Sequence, residues 1–248
     1  MMTLSDLLVP SSALFLDFDG TLVDIAPEPE AVVVPAGLVA SLEALGHYLG
    51  GALALISGRP IEQIDAFLQP LCLPAAGVHG AERRSAAGRL TLVMTHPLDH
   101  VQAVAVTLAA DDPRLRVEVK RGSIALHFRQ APDLETTCRD AMEAAVRESP
   151  GVTLLAGKMV FEAKPGGASK GHAIEAFMHE PPFVGRRPVF VGDDITDEVG
   201  FATVQRLQGI GVKVGEGTTV AWERIASPEH FRKQLQAAAA AKSRKADA

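Results

Sequence analysis

The chain has 248 residues, 47% of them apolar and 22% charged, with a formal net charge of −6. That length can bury the core of one large domain or two modest ones, and an acidic balance with no long basic stripe excludes a nucleic-acid surface. Two separated cysteines, Cys72 and Cys138, exclude a disulfide framework or a cysteine metal site, and no apolar run has membrane-spanning length.

In chain order, Met1–Ser12 lacks the Lys/Arg start of a signal peptide, so a cytoplasmic protein is expected. The apolar run Ala13–Leu16 predicts a buried strand ending at Asp17. Leu38, Leu42, Leu45 and Leu49 recur at helical spacing after Pro35. The run Ala52–Ile56 predicts a second strand, and Pro60 opens a helix carrying Ile61, Ile64 and Leu68. The middle of the chain differs. Asp99–Ala110 and Asp133–Glu148 read as amphipathic helices. Leu115–Lys120 and Ser123–Phe128 alternate around Arg121-Gly122, and Val152–Leu155 pairs with Lys158–Ala163 through Ala156-Gly157. Two further apolar runs follow, Pro188–Val191 and Ile210–Val214, with Thr196 expected to cap the helix between them. From Ala237 onward a fraying helix end without function is expected.

Strands apolar on both faces and separated by helices indicate a covered parallel sheet. Helices mixed with hairpins indicate an α+β unit. The expected architecture is therefore α/β: a Rossmann-like core from residues 1–91 and 164–248, with an α+β cap inserted at 92–163.

Chemistry gathers at the predicted strand ends. Asp17-Phe18-Asp19-Gly20 places two carboxylates where open α/β sheets bind ligands. Alone, that pattern is equally an Asp-Gly turn. Ser57-Gly58-Arg59 follows the second strand, offering a hydroxyl and amides ahead of a helix, an arrangement suited to phosphate. Lys170 opens a helix after a glycine-rich stretch that is not a P-loop, and a lysine there calls for a nearby anion. Gly192-Asp193-Asp194-Ile195-Thr196-Asp197-Glu198 supplies a second acidic cluster. Were Asp17, Asp19 and Asp193 to meet, each contacting pair would cost roughly 4 kcal/mol in a partly screened site. A cation must offset that. Ligands that are all oxygen, without His or Cys, point to Mg²⁺. One aspartate would then attack a phosphate ester while its neighbour moves a proton. Ser57 and Lys170 would hold phosphoryl oxygens, and Asp193 the metal.

These four segments in order resemble the motifs of the haloacid-dehalogenase-like phosphohydrolases. The resemblance implies Asp17 as the phosphorylated nucleophile and Asp19 as general acid and base. It implies Mg²⁺ held by Asp17, the Asp19 carbonyl and Asp193, with Asp194 and Asp197 as supporting acids. Which of those two reaches a metal-bound water stays open.

Substrate choice falls to the cap. Side chains alternate along its strands, so Glu118 and Lys120 share a face opposite Val117 and Val119. His127 and Arg129 oppose Ile124, Leu126 and Phe128, and Lys158 and Glu162 oppose Met159 and Phe161. A face bearing paired donors and acceptors suits sugar hydroxyls. Gly77-Val78-His79-Gly80-Ala81-Glu82, Glu118-x-Lys120, His127-Phe128-Arg129, Lys158…Glu162 and Gly192–Glu198 further resemble the trehalose-6-phosphate phosphatases, from about Leu14 to about Leu235. Trp222 stands where that family suggests tyrosine. The resemblance implies sugar contacts from Glu118, Lys120, Arg129, Lys158 and Glu162, with Arg59, His79 and Gly80 beside them and Ser57, Gly58 and Lys170 on the phosphate. It implies hydrolysis of trehalose 6-phosphate, a small sugar phosphate, to trehalose and phosphate; charge and composition give no nucleic-acid or membrane partner, and a monomer is the expectation. The rival readings are a capped phosphatase for sucrose-phosphate or mannosyl-phosphoglycerate, a phosphomutase, and a non-catalytic sugar-phosphate sensor.

Overall fold

In a computed structural model, residues 3–26, 28, 31–92, 98–120, 122–157, 159–166 and 168–246 are described, with no side-chain description at Lys120 or at 244–246. The chain divides into two compact units, Met1–Thr91 with Ser169–Ala248, and Leu92–Ala168. The second extends past residue 163 because its last strand runs on to Pro165.

The first unit begins with a short helix, α1 (Leu4–Leu7), closed by a reciprocal Thr3/Asp6 capping box. Then come β1 (Ser12–Leu16), α2 (Leu38–Tyr48), β2 (Leu53–Ile56), α3 (Ile61–Leu68), β3 (Ala75–Gly77), β4 (Glu82–Arg84) and β5 (Leu90–Leu92). The inserted unit holds α4 (Asp99–Asp111), β6 (Arg116–Lys120), β7 (Ser123–His127), α5 (Glu135–Arg147), β8 (Val152–Gly157) and β9 (Val160–Pro165). The chain returns through α6 (Lys170–Met178), β10 (Arg187–Gly192), α7 (Glu198–Arg206), β11 (Ile210–Val214), β12 (Glu223–Ile225) and α8 (Pro228–Ala246).

The core sheet runs β12-β11-β10-β1-β2-β3-β4-β5. From β12 to β3 the pairs are parallel, and β3–β4 is antiparallel. Sequence patterning did not reveal β3, β4, β5 or β12. They are only three residues each, too short to carry a period. Every residue of β1 and β2 is buried, as helices on both faces require. Phe15 stacks on Phe183 at 5.4 Å and lies 6.0 Å from Phe177. Such fully buried side chains each contribute about 1.5–3 kcal/mol. β1 and β10 are adjacent and in register, Leu16 opposite Val191, so Asp17 and Asp193 emerge side by side at one sheet edge.

The alanine-rich stretch from Ala237 continues α8 and at its start is packed, not frayed, while residues 247–248 lie outside the described residues. Ala238 and Ala239 are buried, Gln236 bonds the Ala36 carbonyl at 3.2 Å, and Lys242 lies 5.2 Å from the Tyr48 ring.

The inserted unit is a four-stranded antiparallel sheet, β6-β7-β9-β8. One face, with Ile124, Leu126, Phe161 and Ala163, is buried in a core shared with Val101 and Ala105 of α4 and Cys138 and Met142 of α5. The β8–β9 turn is not at Ala156-Gly157. Pairing continues to Gly157↔Val160, and Met159 takes the positive φ of 63° that a two-residue turn demands.

Candidate active site

Asp17 follows β1 and is 3% exposed, its N–H donating to the Val191 carbonyl at 2.9 Å. Lys170, in the first turn of α6 and also 3% exposed, donates to Asp17 Oδ1 at 2.7 Å and to Asp197 Oδ1 at 2.6 Å. That pair of carboxylates is the anion its position called for. Burial pushes the Asp17 carboxyl well above the usual range; Lys170 opposes the shift, and Asp197 and Asp193 add to it. Burial works against the Lys170 charge, but Asp17 and Asp197 more than offset it, and the ammonium is held above its ordinary value.

Asp193, at the end of β10, is also raised, first by burial and then by Asp197, with Asp17 and Thr21 pulling down. Thr21 donates its hydroxyl to Asp193 Oδ1 at 3.2 Å. Gly20, at φ +75°, allows this approach: a Cβ there would lie 2.1 Å from Asp193 Oδ2. Asp17, Asp193 and Asp197 each bring a carboxylate oxygen within 4.8 Å of the others. No Cys or His belongs to this group, so the residues present fit a hard divalent cation.

Asp197 has a different duty from its two neighbours. It is fully buried, and its second oxygen accepts the N–H groups of Asp193 and Asp194 at 2.9 Å each. With Lys170 on the first oxygen, Asp197 braces the loop, while Asp17 and Asp193 line the cavity. Asp194 is exposed and caps the turn Ile195–Asp197, accepting from the Ile195 N–H at 2.7 Å. Asp194 thus caps the turn leading into α7 by a reciprocal box with Asp197, while α7 itself starts from Asp197 with no side-chain cap, so Thr196 does not cap it.

Asp19 is held in a fork by Arg59, Nε to Oδ2 at 2.7 Å and Nη2 to Oδ1 at 2.8 Å. The guanidinium also lies 5.2 Å from the Phe67 ring centre. Ser57 is 1% exposed, and its Oγ accepts the Arg59 N–H at 3.1 Å. Asp17, Asp19, Ser57, Gly58, Lys170 and Asp193 line one cavity of about 480 Å³. Arg59, His79 and Asp194 border it too, as do Ile25 and Ala26, which sequence reasoning missed. Gly80 packs beside it against the Ser169 carbonyl.

Two buried charges were also missed. Lys213, 5% exposed, donates from Nζ to the Asp193 carbonyl. A lone lysine within the apolar run Ile210–Val214 was its signal. Glu82, 6% exposed, accepts the Ile61 N–H at 2.6 Å and so caps α3 from another strand. Its motif Gly77–Glu82 stood out, but its partner is far off in sequence, so nothing local pointed to its burial or its capping of α3.

In the inserted unit, register puts Arg116, Glu118, His127 and Glu162 on the face opposite the packed one. Glu118 lies 3.1 Å from His127 Nε2, and Ser123 donates to Glu162 at 2.6 Å. Arg129 lines a cavity of about 570 Å³ on this unit with Arg114, Arg116, Glu118, His127 and Gln130. Lys158 and the Lys120 side chain lie outside the described residues.

A parallel sheet with paired aspartates, a serine, a lysine and a second acidic cluster at its strand ends defines a haloacid-dehalogenase-type phosphohydrolase fold. A phosphatase of that superfamily from Bacteroides thetaiotaomicron superposes at TM-score 0.62 with 16% identity, over 92% of this chain and 94% of the other. The chain belongs to the trehalose-phosphatase family, whose profile matches residues 15–233. It is 47% identical to trehalose-6-phosphate phosphatase of Escherichia coli (strain K12) over 86% of this chain and 81% of the relative. The C-terminal domain of C. albicans trehalose-6-phosphate phosphatase superposes at TM-score 0.77 with 20% identity, covering 93% of this chain and 92% of the other.

Proposed function

We propose that this chain hydrolyses trehalose 6-phosphate to trehalose and inorganic phosphate, with Mg²⁺ as its metal and Asp17 as nucleophile. The observation that carries this reading is the buried Asp17, ion-paired to Lys170 and set beside Asp193 at the end of β1. Asp17, the Asp19 carbonyl and Asp193 would hold the ion. Bound Mg²⁺ supplies charge neutralisation between a carboxylate nucleophile and a phosphate dianion.

An Asp17 oxygen attacks phosphorus, and the P–O bond to the sugar breaks as an aspartyl phosphate forms. Asp19 gives a proton to the departing sugar oxygen. It then takes one from the water that cleaves the aspartyl phosphate, releasing phosphate and restoring Asp17. Ser57 Oγ, the Gly58 N–H and Lys170 hold the phosphoryl oxygens. Arg59 sets the direction of the Asp19 carboxylate, and Asp194 and Asp197 shape the loop that presents Asp193. Specificity is assigned to the inserted unit, with Glu118, Arg129 and Glu162, joined by Lys120 and Lys158, reading sugar hydroxyls; His79 and Gly80 belong to the mouth of the core cavity. We place the enzyme in the cytoplasm as a monomer. Among the described residues no helix is long and apolar enough to cross a membrane.

The test is phosphate release from a panel of sugar phosphates, with Mg²⁺ and with EDTA, by wild-type enzyme and Asp17→Asn. Trehalose 6-phosphate should be the best substrate, and both EDTA and Asp17→Asn should abolish turnover. Faster release from sucrose-phosphate would overturn the specificity, and turnover by Asp17→Asn would overturn the mechanism.

A further inference from the structure

Between β3 and β4 the backbone does something costly. Val78, His79 and Gly80 all have positive φ, at 48°, 54° and 100°. For a β-branched residue such as Val78 this is a true outlier, and such strain persists only where surrounding contacts enforce it. The contacts here are specific. The Val78 N–H donates to the Arg59 carbonyl at 3.1 Å, and the His79 N–H to the Ser57 carbonyl at 2.9 Å. These two bonds grip the residues on either side of Gly58. The His79 imidazole lies flush against Gly58 itself, for a Cβ on Gly58 would fall 2.7 Å from Cε1 and 2.8 Å from Nε2. On its other side the turn meets α6. A Cβ on Gly80 would fall 2.7 Å from the carbonyl oxygen of Ser169, the residue that caps the helix beginning at Lys170.

The left-handed turn is therefore wedged between the Ser57–Arg59 loop and the helix start that carries Lys170. We infer that it is a spacer setting the gap between the two halves of the phosphate cradle, with His79 a positioning residue whose ring fixes Gly58. This rests on the reading of that cavity as a phosphate site. A relaxed turn with ordinary φ values would redirect the 78 and 79 amides and withdraw the ring, freeing Gly58 to drift from the Lys170 ammonium. Retention of the strain follows from that geometric duty.

The experiment uses the full chain with Mg²⁺ and orthovanadate as the phosphate-like probe, titrated calorimetrically, with thermal melting as a check on folding. Gly58→Ala drives a methyl into the imidazole and should weaken vanadate binding on the order of tenfold or more, since misplacing a cradle by a fraction of an ångström is costly. Adding His79→Ala removes the obstruction, and the double variant should bind within about threefold of His79→Ala alone, the signature of two contacting residues. Wild-type affinity in Gly58→Ala would overturn the inference, as would a double variant no better than Gly58→Ala. If Gly58→Ala does not fold, His79→Ala decides: a loss of about threefold or more supports a positioning ring, and unchanged affinity rejects it. A wild-type enzyme that binds no vanadate would instead reject the phosphate-site reading, and the spacer with it.

Discussion

Lys170→Met removes one ammonium and keeps the length of its buried stem, so it isolates the charge at the centre of the site. In the native chain that ammonium lies 2.7 Å from Asp17 and 2.6 Å from Asp197, with all three groups almost fully buried. Without it two carboxylates face each other with no cation, and a broken buried pair of this kind costs about 3–5 kcal/mol. The cost depends on pH in a direction that can be worked out. Asp17 already titrates above its ordinary value because of burial, and Lys170 is the main influence pulling it down. Loss of Lys170 raises it further. A group whose folded pKa is raised binds protons more readily in the fold, so its charged form destabilises the fold as pH climbs through that pKa. The deficit of Lys170→Met relative to wild type should therefore be largest at about pH 8 and shrink towards pH 5. Urea denaturation of both proteins at the two pH values, with divalent ions removed, measures it. An equal deficit at both pH values, or none at about pH 8, would refute the electrostatic account.

Gly20→Ala strains the backbone at φ +75° as well as crowding the site, so its activity is compared only after thermal melting shows a folded protein. The new Cβ would lie 2.1 Å from Asp193 Oδ2, so the carboxylate must retreat by about 1 Å, enough to cost on the order of 100-fold in kcat. Mn²⁺ affinity by calorimetry should fall in parallel, and native affinity would show that Asp193 is not a ligand. In the inserted unit, Glu162→Ala removes the acceptor of the Ser123 hydroxyl and should depress kcat/KM for trehalose 6-phosphate far more than for a small aryl phosphate, because only the sugar would engage that face. Equal losses on both substrates would place Glu162 outside the specificity site.

The parallel core was legible because its central strands are buried on both faces and read as unbroken apolar runs, Leu14–Leu16 and Val189–Val191 among them. The edges were not. β12 and β3–β5 are three residues long, and their pairing depends on neighbours distant in sequence. The hairpin of β6 and β7 declared itself by alternation, whereas Ala156-Gly157 imitated a turn while the real one fell two residues later, where Met159 adopts positive φ. The Ala-rich end of α8 was misjudged for a related reason, since alanine carries no periodic signal and its burial depends on what lies opposite.

The chemical identity of the site was a local property. Asp17, Asp19, Ser57, Lys170 and Asp193 each stand at the end of an apolar run or the start of a helix, and that placement alone predicted that they meet, as they do around one cavity. The division of labour among the charges was a property of the assembled sheet. The Asp197 brace is a contact inside its own loop, but that Lys170 reaches both Asp17 and Asp197, that Arg59 grips Asp19, and that Lys213 and Glu82 are buried at all follow from which elements lie side by side. A hydrogen bond between residues tens of positions apart has no period and no motif. Only the register of β1 against β2, β10 against β11, β2 against β3 and β3 against β4 brings those atoms within reach.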